Sequence, residues 1–385
     1  MLERASFPRD KICGDALSGK VPNVLNRLDP ELLERFWQLQ NKHVDVWGIK
    51  FVTPNEKHLD IPFRADFDKE NDTAVGYVSK RIVFDNFLAD EVRRRDDIDF
   101  RENVDIKTYD KTDNGFRLTS KDGKTVVECK LLLDATGANS QFARHHAGLT
   151  KDNAHHAGAV RAYYKNVGGM NEDNFIELQF LKGLVPGYFW IFPLPNNEMN
   201  VGLGIRSDFI KKRRINLKKL MVELTETHPQ LKERFKNAEL ISKITGFPLP
   251  LGSKERVISG DNFLLVGDSG HLVDPLTGEG IGNALYAGYI AAELAEKALA
   301  DNDFSADYLR AYDVRVARVL GQEMKLSYRM QQMLRYEWIG NLIGNVVGGN
   351  GRVIEALSSM YYDLDKRKQV VNPMFWMRQL FGKRS

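Results

Sequence analysis

Residues 262–300 read NFLLVGDSGHLVDPLTGEGIGNALYAGYIAAELAEKALA, and this stretch decides the fold. The apolar run from Phe263 to Val266 predicts a short buried strand, because a strand covered on both faces is apolar throughout. A turn and a loop rich in glycine and proline follow, and a long helix is predicted from about Ile281. Small residues at helical spacing would let this helix lie close to a sheet. The residues in this row are Leu285, Gly288, Ala292 and Ala295.

The loop between this strand and helix has the residue types that bind a polar or anionic ligand. Asp268 stands at the carboxyl end of the strand and can accept hydrogen bonds from the hydroxyls of a sugar-like chain. Gly278, Gly280 and Gly282 would leave backbone N–H groups uncovered at the helix start, where the helix dipole adds about half a positive charge. An anion, or a ring that becomes anionic on reduction, would fit there. An ordinary strand-loop-helix with glycine turns is the alternative.

The complete string GD-x(6)-P-x-x-GEGIGNA resembles the second FAD-binding motif of the para-hydroxybenzoate-hydroxylase-like flavoproteins and, within them, of the geranylgeranyl reductases. The resemblance implies that Gly267 and Asp268 bind the ribityl chain of FAD. It also implies that Pro275 borders the flat ring and that the helix start at Ile281 faces its pyrimidine end. The implied fold class is α/β: a Rossmann-like FAD-binding domain interrupted by an antiparallel β-sheet substrate domain, with a helical C-terminal tail.

The resemblance also implies where the domains begin and end. We expect a FAD-binding domain of three segments, a substrate domain of two segments, and a helical C-terminal region. The expected segments are 1–25, 81–155 and 252–304 for FAD, 26–80 and 156–251 for the substrate, and 305–385 for the helical region.

The N-terminal residues resemble the part of this family that follows its first β-α unit. Leu2 would end the second strand, and Glu3, with Arg4 beside it, would bind the adenosine ribose. On this view the chain begins about 30 residues late and lacks the G-x-G-x-x-G unit. An ordinary terminal residue is the alternative for Glu3. The string FPRDKICGD implies that Cys13 and Asp15 lie beside the reactive ring, and a small buried hydrophobe is the alternative for Cys13.

Two further motifs resemble the same family. R-x-x-F-D-x-x-L begins at Arg81, which implies that this arginine contacts the flavin region, with a solvated arginine as the alternative. LLLDATGANS at 131–140 resembles A-D-G-A-x-S-x-x-R, a segment that serves both the flavin and the nicotinamide, and Gly137 lies within it. Thr136 stands where that motif has Asp, and Arg144 comes one residue late. These departures leave the mode of NAD(P)H recognition open.

Alternating segments predict strands in the remaining sequence. WGIKFVTP, HLDIPF and AVGYV, in 46–77, predict part of a second sheet, and four more segments in 156–251 predict the roof over the flavin. Residues 116–119 and 125–133 predict two strands joined by an Asp-Gly hairpin turn. YFWIFP resembles the Y-x-W-x-F-P signature of geranylgeranyl reductases. It implies an isoprenoid pocket, and a sheet core is the alternative. The implied pocket residues are Tyr188, Trp190 and Phe192.

The resemblance implies an FAD-dependent oxidoreductase that reduces C=C bonds of an isoprenoid or other apolar substrate. Reduced flavin would donate the hydride, with NAD(P)H as the electron donor. His271, on the flavin loop, is a candidate proton donor, and a hydrogen-bonding role is the alternative. An aromatic monooxygenase, a halogenase and a truncated FAD-free remnant that acts as a binding protein are the rival interpretations.

Composition narrows the choice of partners and compartment. The chain has 385 residues, a net charge of +3 and two cysteines. The small net charge predicts no nucleic-acid partner, and the cysteine count indicates a reducing, cytoplasmic compartment. The basic run 211–214 predicts a solvated face or a membrane-surface patch, which would place the chain peripherally at the inner face of the membrane. Residues 374–378, with Lys383 and Arg384, predict an amphipathic cap over the substrate mouth.

Overall fold

The structure is a computed structural model that describes residues 1–347 except residues 40 and 65. The described residues form seventeen β-strands. They are β1 Ala16–Leu17, β2 Val44–Val46, β3 Gly48–Val52, β4 His58–Pro62, β5 Gly76–Val78, β6 Ile106–Thr112, β7 Gly115–Ser120, β8 Val126–Cys129, β9 Leu132–Asp134, β10 His156–Lys165, β11 Ile176–Gln179, β12 Tyr188–Leu194, β13 Glu198–Arg206, β14 Glu239–Leu240, β15 Thr245–Pro250, β16 Ser259–Gly260 and β17 Phe263–Leu265.

The described residues also form eleven α-helices. They are α1 Lys20–Leu28, α2 Pro30–Trp37, α3 Arg81–Arg93, α4 Gln141–His145, α5 Ser207–Arg213, α6 Leu217–Thr227, α7 Pro229–Phe235, α8 Ile281–Asp301, α9 Ala306–Val316, α10 Gln322–Leu334 and α11 Glu337–Val347.

An eight-stranded sheet dominates the substrate side of the molecule. Its order is β14-β10-β13-β12-β11-β3-β4, and β15 pairs with the other end of β10. The expected sheet was antiparallel, but it is mixed, because β11 and β3 are parallel over Ile176–Gln179 and Gly48–Val52. Helices α6 and α7 cover one face and bury Met221 and Leu231.

The predicted strand at 125–133 is divided between two small sheets. Its first part, β8, forms the hairpin sheet with β7 and β6, while β9 pairs in parallel with β17. Asn262 holds the bend between them: its side-chain amide donates to the carbonyl of Lys130 at 2.7 Å, and its own carbonyl accepts from the N–H of Leu132 at 2.8 Å. These bonds turn the chain from one sheet into the next.

Helix α8 begins at Ile281 as predicted, but its buried face differs from the expected one. Ala287, Ile290 and Ala291 are fully buried, whereas Ala292 is exposed. The burial is shifted because α8 packs against α9 as well as against β17, and Tyr312 of α9 lies within the same core. Leu285 faces the opposite side and packs against the cluster that contains α1 and α2.

A third small sheet carries the N-terminal segment into the site. It has the order β1-β5-β2, so AVGYV lies in this sheet and not in the eight-stranded sheet where it was expected. Gly76 allows the close approach of the backbones, because a Cβ there would lie 3.0 Å from the carbonyl oxygen of Leu17. The N–H of Ser79 donates to the carbonyl of Asp15 at 3.0 Å, which extends the pairing to the start of α3.

The helical tail is confirmed over α9 to α11, with one turn of π-helix at 317–321. Helices α10 and α11 contribute Met330, Leu334 and Ile343 to the walls of the main cavity. The amphipathic cap expected at 374–378, with Lys383 and Arg384, lies outside the described residues. Within residues 1–347 no helix is long and apolar enough to cross a membrane.

Candidate functional site

One large cavity lies between the sheets and beneath the C-terminal helices. Its volume is about 1020 Å³, at the upper end of the range of ligand pockets. Segments far apart in the sequence line it: the N-terminal segment 11–20, the start of α3, strand β12, the loop before α8, and helices α10 and α11. The FAD-motif residues and the aromatic signature therefore border a single space.

The loop between β17 and α8 is held by its own side chains. The backbone at Gly267 has a φ of 63°, which glycine adopts without strain, so the strand can turn at Asp268. Asp274 accepts hydrogen bonds from the N–H groups of Leu276 and Thr277 at 2.9 and 2.8 Å. Gly278 has a φ of 73° and donates to the Asp274 carbonyl at 3.1 Å. The start of α8 is thus fixed relative to β17.

The residues around the loop fit a flat, sugar-linked cofactor such as FAD. Gly267, Asp268, Gly278, Gly280 and Ile281 all line the cavity. A Cβ at Gly280 would lie 3.4 Å from Oδ1 of Asp268, so a side chain there would fill the space between the carboxylate and the helix start. The N-cap of α8 is glycine, which leaves the first turn open to a ligand.

Asp15 is a fully buried carboxylic acid that lines the cavity. It has a φ of 66°, a conformation that Asp tolerates better than most residues. Its Oδ2 accepts hydrogen bonds from the Tyr163 hydroxyl and from Nδ2 of Asn200, both at 2.8 Å. Burial raises the pKa of Asp15 to about 6, and the hydrogen bonds from Asn200 and Tyr163 oppose that shift. The group therefore exchanges its proton near neutral pH.

Cys13, Arg81 and Lys11 lie beside Asp15 on the same wall. Arg81 forms a two-point ion pair with Asp85, with Nε–Oδ1 at 2.6 Å and Nη2–Oδ2 at 2.9 Å. Burial raises the pKa of the Cys13 thiol, and the positive charge of Arg81 opposes this. Burial and Arg81 both lower the pKa of Lys11, while the Asp268 carboxylate raises it. Cys13 is thus held as a thiol.

The three signature aromatics share one face of β12. Tyr188, Trp190 and Phe192 alternate along the strand, so all three line the cavity. Their polar atoms are already bound: the Tyr188 hydroxyl donates to the carbonyl of Thr277, and Trp190 Nε1 donates to Oδ1 of Asn200 at 2.9 Å. What they present to the cavity is apolar surface.

Gly137 also lines the cavity, next to a compact turn. The carboxylate of Asp134 organises the turn by accepting from the Thr136 N–H at 3.0 Å and from the hydroxyls of Thr136 and Ser140. The backbone of the motif at 131–140 is therefore ordered, and its acid, Asp134, holds it in place.

The structure does not bring all predicted site residues to the cavity. The structure describes Glu3, Arg4, His271 and Gly282, but none of them lines the cavity. Pro275 faces a smaller adjoining pocket. Glu3 pairs with Arg9 at 3.2 Å, and Arg4 is exposed. Gly282 donates its N–H to Glu279 at 3.0 Å.

His271 is buried beside His156, with the two ring centroids 5.0 Å apart. Burial, and after it the positive charge of Arg256 and the neighbouring His156, lower its pKa to about 3. The imidazole is therefore neutral near pH 7 and, from its place outside the cavity lining, does not join Asp15 and Cys13.

Sequence reasoning missed Lys11, Tyr163 and Asn200. A signal for the last two was present, because each is a polar side chain inside an apolar strand, and such a group needs a buried partner. Asn200 is fully buried, donates to Asp15 and accepts from Trp190. The position of Lys11 had no comparable signal in the spacing of its neighbours.

Comparison with known proteins agrees with this architecture. Residues 157–247 match the model of the geranylgeranyl reductase catalytic domain. Digeranylgeranylglycerophospholipid reductase 2 of Methanopyrus kandleri is 29% identical over 73% of this chain and 68% of its own. Menaquinone reductase of Mycobacterium tuberculosis is 26% identical over 87% of this chain and 78% of its own.

Solved structures show the same fold. A geranylgeranyl bacteriochlorophyll reductase-like protein from Thermoplasma acidophilum superposes with a TM-score of 0.77 at 22% identity, over 97% of this chain and 92% of its own. A flavin-dependent halogenase gives a TM-score of 0.71 at 20% identity, over 96% of this chain and 66% of its own. At these identities the likeness concerns the fold alone.

The fold, the cavity and these relatives define an α/β flavoprotein of the FAD-dependent oxidoreductase class. Halogenases share its architecture, but the matching domain model is that of a reductase and the two relatives by sequence named above are reductases. Residues 157–247 match the geranylgeranyl reductase catalytic domain, and the chain is similar in sequence to digeranylgeranylglycerophospholipid reductases.

The raised pKa of Asp15 predicts a pH-dependent stability. In the unfolded chain its pKa is about 4, so this group stabilises the fold fully below about pH 4, and that contribution is lost as the pH rises through about 6. A shift of two pKa units corresponds to about 3 kcal/mol of unfolding free energy. In urea titrations, the unfolding free energy of the wild type minus that of Asp15→Asn should fall by up to ~3 kcal/mol between about pH 4 and 7.

The exposed Asp99→Asn variant is the control and should show no such fall over this pH range. A difference between wild type and Asp15→Asn that stays constant with pH would contradict the assignment.

Proposed function

We propose that this chain is an FAD-dependent reductase that adds hydrogen across C=C bonds of an isoprenoid or similarly apolar substrate. The observation that supports this most strongly is the large cavity, which is lined both by the FAD-motif loop between β17 and α8 and by Tyr188, Trp190 and Phe192. When bound, reduced FAD would supply the hydride. An apolar chain could lie against the aromatic face, where burial of apolar surface provides the binding energy.

In this proposal the motif residues that line the cavity have specific roles at the cofactor. Asp268 binds the ribityl hydroxyls, and the open first turn of α8 at Gly280 and Ile281 receives the pole of the ring that becomes negative on reduction. Gly137 and Gly267 allow close approach of the backbone. Arg81, fixed by Asp85, holds positive charge beside the ring.

Gly278 sets the turn that leads into α8. Gly282 acts within the loop through its bond to Glu279, and Pro275 supports the loop from the side of the adjoining pocket. Glu3 and Arg4 have no role in this proposal, because neither lines the cavity and Glu3 pairs with Arg9.

We expect FAD binding to depend on Asp268. The purified chain with FAD should show the flavin absorption bands, and Asp268→Ala should raise the dissociation constant about tenfold or more, because the variant loses charge-assisted hydrogen bonds. NADH or NADPH without oxygen should bleach the bands, which would identify the nicotinamide donor that we include in the proposal. Asp261→Ala, in the exposed turn between β16 and β17, is the control. Absence of flavin binding by the wild type would refute the reductase.

Asp15 is the proposed proton donor for the substrate carbon that does not receive the hydride. It lines the cavity, it is next to Cys13, and its pKa of about 6 allows a protonated fraction near neutral pH. Tyr163 and Asn200 hold its carboxyl in one orientation. Cys13 would remain a neutral thiol that contacts the ring side of the cavity. His271 is left out, because it is neutral and buried elsewhere.

The rate of a single turnover should therefore depend on the protonation of Asp15. With pre-reduced FAD, the rate of substrate reduction should fall as the pH rises through about 6. Asp15→Asn should lower it about 10²–10⁴-fold, the usual range for loss of a general acid, and abolish that dependence. Asp122→Asn, in an exposed turn, should leave the rate and its profile unchanged. A wild-type rate that is flat from about pH 5 to 8 would exclude Asp15 as the donor.

We also propose that the chain docks peripherally on an anionic membrane to reach a lipid substrate. Lys211, Lys212 and Arg213 are exposed, and Trp338 is 64% exposed. Gly183 connects the two groups, because its carbonyl accepts from Arg213 at 2.8 Å and its N–H donates to Glu337 at 2.7 Å. Basic side chains next to an exposed tryptophan are typical of a membrane-surface patch.

Flotation with phospholipid vesicles tests this docking. The wild type should float with anionic vesicles at low salt, and less at high salt, because the attraction is screened. Trp338→Ser should reduce the bound fraction, whereas Leu299→Ser, at the far end of α8 and 57% exposed, should not. Equal binding to neutral and anionic vesicles would contradict the electrostatic part.

A further inference from the structure

A small pocket opens beside the main cavity and has a different chemistry. Its volume is about 50 Å³, and it is bounded by Arg206, Gln331, Pro275 and Leu251. Tyr188, Trp190 and Gly278 line both spaces, so the small pocket adjoins the aromatic face and the motif loop. We call it the side pocket.

The side pocket contains an unpaired hydrogen-bond donor. Arg206 is 93% buried, with 7% of its surface exposed. Its Nε and Nη2 bind the two carboxylate oxygens of Asp208 at 2.7 and 2.8 Å, which fixes the plane of the guanidinium. Within the described part of the chain, its buried Nη1 has no partner. Burying a charged donor without an acceptor costs free energy. A ligand group that accepts a hydrogen bond from Nη1 therefore recovers most of that cost.

The side pocket also contains an unpaired acceptor. Gln331, on α10, has 6% of its surface exposed. Its Nε2 donates to the carbonyl of Pro275, which determines the orientation of the amide and leaves Oε1 as the remaining polar atom. That Oε1 is buried and has no partner among the described residues. The two unpaired atoms belong to residues on different elements, β13 and α10, and both residues line the side pocket.

A single group can satisfy both atoms only if it accepts from a guanidinium and donates to an amide oxygen. A hydroxyl does both. A carboxylate, ether or fully ionised phosphate only accepts and would repel Oε1 of Gln331. The volume of about 50 Å³ also suits a hydroxyl with its carbon better than a diphosphate. In the absence of substrate, water would take the same place.

We propose that the side pocket is a subsite for a hydroxyl group at the polar end of the substrate. This inference rests on the reductase function proposed above, since it assumes that the apolar chain lies along Tyr188 and Trp190. Arg206 and Gln331 then fix the end of the chain and so determine which double bond lies beside Asp15. They act as positioning residues.

The test compares an all-trans isoprenoid alcohol with its methyl ether, which has the same chain and no hydroxyl hydrogen. Calorimetry on the FAD-saturated protein gives both dissociation constants. The wild type should bind the alcohol about tenfold more tightly, because a site built to bind a hydroxyl discriminates strongly against an analogue that leaves its buried groups unpaired. Gln331→Met and Arg206→Lys should reduce this ratio to about two.

Gln332→Met, one residue further along α10, is the matched control and should keep the wild-type ratio. The wild-type comparison needs no variant, so it decides the question even if a substitution harms folding. Equal binding of alcohol and ether by the wild type would overturn the subsite and leave the reductase intact. A ratio that survives in both variants would overturn the assignment to these residues. Failure to bind either compound would remove the proposed function together with the subsite.

Discussion

The buried carboxylate of Asp15 is the interaction on which the arrangement of the site depends. It receives hydrogen bonds from Tyr163 of β10 and Asn200 of β13, and its Oδ1 accepts from the N–H of Arg81 at the start of α3. One side chain thereby joins the N-terminal segment, the large sheet and the start of α3. A buried acid without these partners would be strongly unfavourable, so the three elements keep a fixed relation.

The FAD-motif loop is rigid for a related reason. Asp274 fixes the loop from within, and Lys20 of α1 donates to Oδ1 of Asn283 in α8 at 2.8 Å. Glu323 of α10 pairs with the same lysine at 2.9 Å. The cavity is therefore bordered by elements that are held by polar contacts at its edges, while its interior surface stays largely apolar. Such a division suits an apolar ligand held next to a polar cofactor.

Much of this could be predicted from the sequence, because the motifs are local. The turn at Gly267, the helix start at Ile281 and the alternation along β12 follow from residues close together in the chain. The division of 125–133 into two strands could not be predicted, since it depends on Asn262, which is distant in sequence. The partners of Asp15 and the burial of His271 were missed for the same reason: each depends on tertiary packing.

The parallel pair of β3 and β11 has a consequence for how the protein folds. It joins residues 48–52 to residues 176–179, so this part of the large sheet closes only after a long loop has been brought together. The entropy lost on closing such a loop is not recovered until the pair forms, which slows folding. During synthesis on the ribosome, β3 and β4 must wait for more than a hundred further residues. The hairpin of β3 and β4 is therefore an early, unsupported element, and β11 completes it late.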